Sequence, residues 1–380
     1  MKIKSFISLV LALCLLLCAC NINVKVEEKK EDKETRTKTE TEQKAKEPEE
    51  EKKKKGDIVL SGENYTIDVP MLTFLYNSNL ANYILPYAQY YGLSADAPLS
   101  EQTYMGTEQT WKEFVHEMTL TDAKNFLATA EHAKSVGHEF PELEERLDEQ
   151  IDLWKGYADQ VDMKFDDFLA HYYGEGITEE VLRDTFKLQF YVYSYNEVIV
   201  EEGLSEMPED YYDTYFAENC DENTQTEPTK NVCHILIKSD SYPTDEEAKI
   251  KADEVLALYR AGELTREAFE ALASQYNEDS NCYYGDIPKG QMVAEFENWI
   301  YDESRKVGDT DIVKTQYGYH VMYFAGSGEI AWKLEAKESY EQECLRTAID
   351  GYVKEYEDSI TVSEGTIDVL PDDIPTGYKG

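Results

Sequence analysis

The 380-residue chain is short of positive charge: 37 Lys and Arg face 78 Asp and Glu, for a formal net charge of −41. Residues 1–19 carry +2 and residues 21–56 carry +1, which leaves −44 on residues 57–380. A body this acidic is repelled by phosphate backbones, and DNA or RNA binding is excluded. The seven cysteines include no C-x-x-C pair and the six histidines no H-E-x-x-H, so no zinc site is visible. An Asp-x-Asp-x-Asp-Gly loop for calcium is also missing. No metal and no cofactor is expected. The apolar run Phe6–Leu17 is too short for a stable spanning helix.

What the N-terminus does hold is a leader. Lys2 and Lys4 precede the apolar run, and Leu17-Cys18-Ala19-Cys20 closes it, the layout of a secretory signal peptide over 1–19. The small residue before Cys20 resembles a bacterial lipobox, which implies lipidation at Cys20 and an anchor on the extracytoplasmic face of the cell membrane. Residues 21–56 hold twelve Lys/Arg and eleven Asp/Glu, with no Trp, Phe, Tyr, Leu or Cys. Residues 20–56 are therefore expected to be a lipidated cysteine followed by a disordered, charged tether. Four cysteines remain beyond it: Cys220, Cys233, Cys282 and Cys344. Outside the cytoplasm they permit disulfides in three connectivities, and free, partly buried thiols are the simpler reading.

Residues 57–380 are too many for one ordinary core. From about Val69 to Phe216 the pattern is helical, with stripes such as Trp111, Phe114, Val115 and Met118, then Leu143, Leu147, Ile151 and Trp154. Strand signals there are limited to Asp57–Leu60 and Tyr65–Val69. A polar, Pro-containing stretch from Cys220 to Lys230 marks a boundary. The expected division is a helical N-terminal lobe over 57–228, a compact module over 229–326, and a C-terminal helix with tail over 327–380 that packs back on the first lobe. Tyrosine is abundant, 29 in all, and dense from Tyr76 to Tyr104. Tyr83, Tyr87, Tyr90 and Tyr91 are candidates for a client-binding surface, with packing between helices the alternative.

Within the module, Asn231-Val232-Cys233-His234-Ile235-Leu236-Ile237 reads as a buried strand, and Thr315-Gln316-Tyr317-Gly318-Tyr319-His320-Val321 as a second. Between them Thr244-Asp-Glu-Glu247 opens one amphipathic helix, and Ala268, Phe269, Leu272, Ala273 and Tyr276 mark another. Asn277-Glu278-Asp279-Ser280, a loop from Gly285 to Val293, and Met292 with Phe296 on a short helix follow in order. This ordered set resembles the parvulin family of peptidyl-prolyl cis/trans isomerases. The layout around it is similar to that of foldase lipoproteins of Gram-positive bacteria and their periplasmic relatives. The resemblance implies an α+β fold, a small antiparallel sheet with surrounding helices, inserted in a mostly α-helical chaperone lobe.

It also implies roles. His234, Asp279, Thr315 and His320 match the catalytic set, and Ile287, Met292, Phe296 and Tyr317 the substrate-binding positions. Ile287 stands where a leucine is usual, the 285–291 loop is shorter than the common form, and Cys233 replaces the usual serine. Ser239–Glu247 is acidic where phosphate-directed members are basic, so a phosphoserine preference is not expected. The implied function is a membrane-anchored foldase that isomerises X-Pro bonds in newly secreted proteins. The alternatives are a catalytically weak holdase that binds unfolded chains and, more distantly, a structural envelope lipoprotein. The oligomeric state stays open, a dimer included.

Overall fold

The computed structural model describes residues 57–378. The signal peptide at 1–19, the lipidation at Cys20 and the tether to residue 56 lie outside the described residues. The chain forms two compact units, residues 57–202 with 344–378, and residues 203–343.

The first unit is mainly helical: α1 (Val69–Asn79), α2 (Trp111–Ser135), α3 (Leu143–Gln160), α4 (Phe165–Tyr173) and α5 (Glu179–Ser205). Strand β1 (Ile58–Ser61) lies between β2 (Thr66–Asp68) and the C-terminal β7 (Thr361–Val362), all antiparallel. Asp68 caps α1 by accepting the Met71 N–H at 3.0 Å, and Pro70 sits in the first turn, where no N–H is needed. Helix α1 is buried all round because it has a core on each side. Met71, Leu72, Leu75 and Tyr76 pack with α2 and α5, while Phe74 packs with Trp154, Phe168 and Phe186. The buried Glu131 is fully engaged, accepting the Asn64 and Tyr65 N–H groups and the Asn64 side-chain amide across the β1–β2 turn. Such charge-assisted bonds are what make a buried carboxylate tolerable.

The dense tyrosine run divides. Tyr76 is buried, Tyr104 stacks on Phe114 at 3.9 Å, and Tyr91 lies against Trp111. Tyr83 and Tyr87, on the wide and tight turns after α1, and Tyr90, on the one-turn helix Ala88–Tyr91 that follows, are exposed by 52, 58 and 82%.

The second unit starts with α6 (Tyr211–Asn219) and holds a four-stranded antiparallel sheet ordered β4-β3-β6-β5. Its strands are β3 (Pro228–Lys238), β4 (Tyr283–Ile287), β5 (Thr310–Thr315) and β6 (Gly318–Ile330). Alternation along β3 and β6 separates two faces. Cys233, Ile235, Ile237, Tyr319, Val321 and Tyr323 pack against α7 (Asp245–Ala261) and α8 (Arg266–Tyr276). Val232, Met322 and Phe324 pack on the opposite face, with Ile287, Phe296, Trp299 and Ile300 of β4 and α9 (Ala294–Ile300). The last long helix, α10 (Ala331–Glu355), does not belong wholly to the first unit: residues to 343 lie in the second. There Tyr211 donates to the Ala336 carbonyl at 3.1 Å and Phe216 meets Trp332.

Three local expectations are corrected. Thr315–Val321 is not one strand but a hairpin, with Thr315 ending β5, Gln316 and Tyr317 at the turn, and His320 on β6. Gly318 forces this: its φ is +146°, and a Cβ there would sit 2.1 Å from the Ile237 carbonyl oxygen. Gly285 and Asp286 belong to β4 rather than to a loop. Met292 precedes α9 instead of sharing a helix with Phe296, because the Glu297 carboxylate reaches back to the Gly290 N–H and the helix starts at Ala294.

Candidate active site

The α9 face of the sheet carries both histidines. His234 pairs with Met322 and His320 with Leu236, so the imidazoles are diagonal neighbours on adjacent strands. Their rings stack with centroids 5.2 Å apart, and the two Nδ1 atoms lie 2.9 Å apart. His234 Nε2 is 3.2 Å from both the Asp279 carboxylate and the Asn281 carbonyl. His320 Nε2 is 2.9 Å from Thr315 Oγ1, which accepts the Tyr317 N–H at 3.2 Å. His234, Thr315 and His320 are all buried, whereas the Asp279 side chain is 30% exposed.

These partners dictate one proton arrangement. A carboxylate and a carbonyl only accept, so His234 Nε2 carries a proton. With both rings neutral, His234 Nδ1 then accepts from His320 Nδ1–H, and His320 Nε2 accepts from the Thr315 hydroxyl. Every donor finds an acceptor without a buried positive charge. Burial, with His234 alongside, brings His320 down to about 4. Burial also lowers His234, against the pull of Asp279. Partial burial of Asp279 works against ionisation, but the Ser280 N–H, the Tyr284 hydroxyl and His234 outweigh it and hold the carboxyl below its usual range. The resting site is thus two neutral imidazoles joined to one carboxylate.

Phe296 meets both imidazoles edge-on, at 5.7 Å from His234 and 5.4 Å from His320. Ile287 and Met292 pack in the same apolar cluster, Ile287 buried and Met292 half-buried. Tyr317 stands apart, 57% exposed on the hairpin turn, and takes part through its backbone: its N–H reaches Thr315 and its carbonyl accepts the Ser239 N–H.

Two contributors had not been singled out. Tyr284 donates to Asp279 Oδ2 at 3.0 Å. Asn277 makes four hydrogen bonds: its Oδ1 accepts the N–H groups of Leu236 (2.8 Å) and Asp279 (3.2 Å), and its Nδ2 donates to the carbonyls of Asp279 (3.3 Å) and Asn281 (3.0 Å). It ties the loop that carries both acceptors of His234 to strand β3. Asn at the end of α8, followed by a short polar run, is the signal for such a turn.

Residues 218–325 match the family model of the PPIC-type PPIASE domain. The module belongs to this parvulin class, and the protein is a peptidyl-prolyl cis–trans isomerase. Beyond the module the chain is similar to foldase proteins. It is 28% identical over 273 residues to foldase protein PrsA of Geobacillus sp. (strain WCH70), covering 69% of this chain and 86% of that one. With foldase protein PrsA 2 of Listeria monocytogenes it shares 25% identity over 179 residues, 45% of this chain and 54% of the relative. Among solved structures, PrsA from Bacillus subtilis aligns over 72% of this chain and 94% of its own, at 20% identity and a TM-score of 0.35. The four cysteines of the described chain are not joined in disulfides.

Proposed function

We propose that the protein is a lipid-anchored foldase that isomerises X-Pro bonds in newly secreted proteins on the outer side of the cell membrane. The anchor would be Cys20, and the helical unit would hold the unfolded client. Relatives that are foldases by name and the signal-peptide pattern over residues 1–19, just before Cys20, support this placement.

The observation that carries the catalytic part is the unbroken hydrogen-bonded set from Thr315 through His320 and His234 to Asp279, with Phe296 against both rings. Rotation about an X-Pro bond is slow because amide resonance imposes a barrier of about 18–20 kcal/mol. Resonance places negative charge on the carbonyl oxygen, so a carboxylate facing that oxygen disfavours the planar form and the twisted form gains by comparison. Asp279 is the candidate for that role. His234, Thr315 and His320 hold its charge and position without titrating. Ile287, Met292 and Phe296 would grip the proline ring, while Tyr317 would border the entrance. Each 1.4 kcal/mol of preferential stabilisation is worth tenfold in rate.

A second reading, a holdase with little turnover, is favoured by Phe296 being only 3% exposed, which leaves a prolyl ring little of it to grip. Isomerisation of an unphosphorylated Xaa-Pro peptide by the full chain separates the two. A wild-type rate well above the uncatalysed one, reduced at least tenfold in both His234→Ala and Asp279→Ala, supports the foldase. A folded wild type that suppresses aggregation at the uncatalysed rate supports the holdase.

A further inference from the structure

The opposite side of β3 holds a second cluster of reactive groups. Cys233 points away from its neighbour His234, into the face covered by α7 and α8, and is fully buried. Cys282 lies just before β4, where its carbonyl accepts the His234 N–H at 2.8 Å, and its side chain turns to the same face and packs with that cluster. Both thiols pack in this one cluster, and Cys233 pairs in register with Tyr283, the residue after Cys282. Cys233 Sγ also lies 3.7 Å from Glu270 Oε1, which is bound by Arg266 Nε at 2.7 Å. The Arg266 guanidinium sits over the Tyr283 ring, next in sequence to Cys282.

We infer that Cys233 and Cys282 form a reactive dithiol that closes reversibly to a disulfide and thereby governs the loop carrying Asp279 and Asn281. The roles divide by environment. The Cys282 thiol is only partly buried, and the Cys233 thiol beside it outweighs burial and, with Arg266, holds it below the ordinary thiol range. The neighbouring Cys282 and burial push Cys233 up, as suits a resolving thiol. The oxidant is a disulfide, small-molecule or protein. Cys282 thiolate attacks one sulfur of it, breaking that S–S bond and releasing the first thiol. Cys233 passes its proton to Glu270 and attacks Cys282 Sγ, expelling the second thiol. Two protein thiols are oxidised to one disulfide, and the oxidant is reduced to two thiols that take up the two protons.

The consequence follows from where the bond forms. A disulfide brings the sulfurs to about 2.05 Å, drawing residue 282 toward the helical face. The Asn281 carbonyl, one residue earlier, is on the other face against His234 Nε2. Closing the disulfide therefore pulls the loop off the histidine and lowers isomerase activity.

The test equilibrates the full chain with reduced and oxidised glutathione, blocks free thiols with an alkylating agent and maps the peptides by mass spectrometry. The expected result is a Cys233–Cys282 linked peptide, with isomerase activity several-fold lower and restored by a reducing dithiol. Cys233→Ser should trap Cys282 as its glutathione adduct, and Cys282→Ser should leave Cys233 unmodified. In the reduced wild type, Cys282 should alkylate several-fold faster than Cys220, a readout that does not depend on either variant folding. Failure to form the linked peptide, a linked form with unchanged activity, or a Cys282 no faster than Cys220 would overturn the inference.

Discussion

His234 and His320 meet Nδ1 to Nδ1 at 2.9 Å, a contact that holds one proton between two buried rings. A second proton would place two donors face to face. The pair is therefore built to stay neutral, and it ties the stability of the module to pH.

The sign follows from the lowered values. His320 titrates near 6.5 in the unfolded chain and at about 4 in the fold, so between these values the unfolded state binds the extra proton. This contribution is complete above pH 6.5 and is lost as the pH falls toward 4. At pH 4.5 the loss for His320 is about 2–3 kcal/mol. Amide exchange in β3 and β6 at pH 7 and 4.5 measures it, with a non-titrating His320→Gln chain as reference. Equal acid sensitivity in both chains would dismiss the neutral pair.

Asn277 is expected to act as a positioning residue. Asn277→Ala removes four hydrogen bonds, and the stranded backbone groups should lower stability by about 1–3 kcal/mol. The more telling readout is kinetic: kcat should fall about tenfold or more with KM little changed, because Ile287 and Phe296 lie on other elements. Asn277→Asp keeps the two accepted bonds and loses the two donated ones, so it should fall between. Full kcat in a destabilised Asn277→Ala would reduce the residue to a structural one.

Joint replacement of Tyr83, Tyr87 and Tyr90 by Ser should weaken suppression of client aggregation several-fold while peptide isomerisation stays at the wild-type rate. The three side chains are largely exposed, with Tyr87 and Tyr90 meeting the Tyr91 ring edge-on, so stability should move by no more than about 1–2 kcal/mol. Unaltered suppression in a light-scattering assay would leave these tyrosines without a client role.

The module was legible in the sequence because its signals are local. Alternation along Val232–Ile237 sorts histidine and cysteine onto opposite faces, and Thr244 caps its helix at the expected place. What escaped depends on distant backbone. The hairpin at Gln316–Tyr317 is decided by how closely Gly318 approaches Ile237, a contact between strands far apart in sequence. The start of α9 depends on Glu297 reaching back to Gly290. Asn277 looked like ordinary loop polarity until the positions of Leu236 and Asn281 were fixed around it. Strand β7 is two residues long, below any periodicity that a sequence can display.

The pairing of β7 with β1 sets an order of events during synthesis. Leu60 and Ser61 wait for Val362 and Thr361, while Leu99 and Ser100 wait for Asp372. Every strand of the isomerase sheet, by contrast, lies between Pro228 and Ile330. A chain emerging from its N-terminus can therefore complete its catalytic sheet while the first unit still lacks its last strand. The isomerase sheet can thus be complete before the first unit is, and a truncation anywhere between residues 344 and 360 would spare the one and leave the other open.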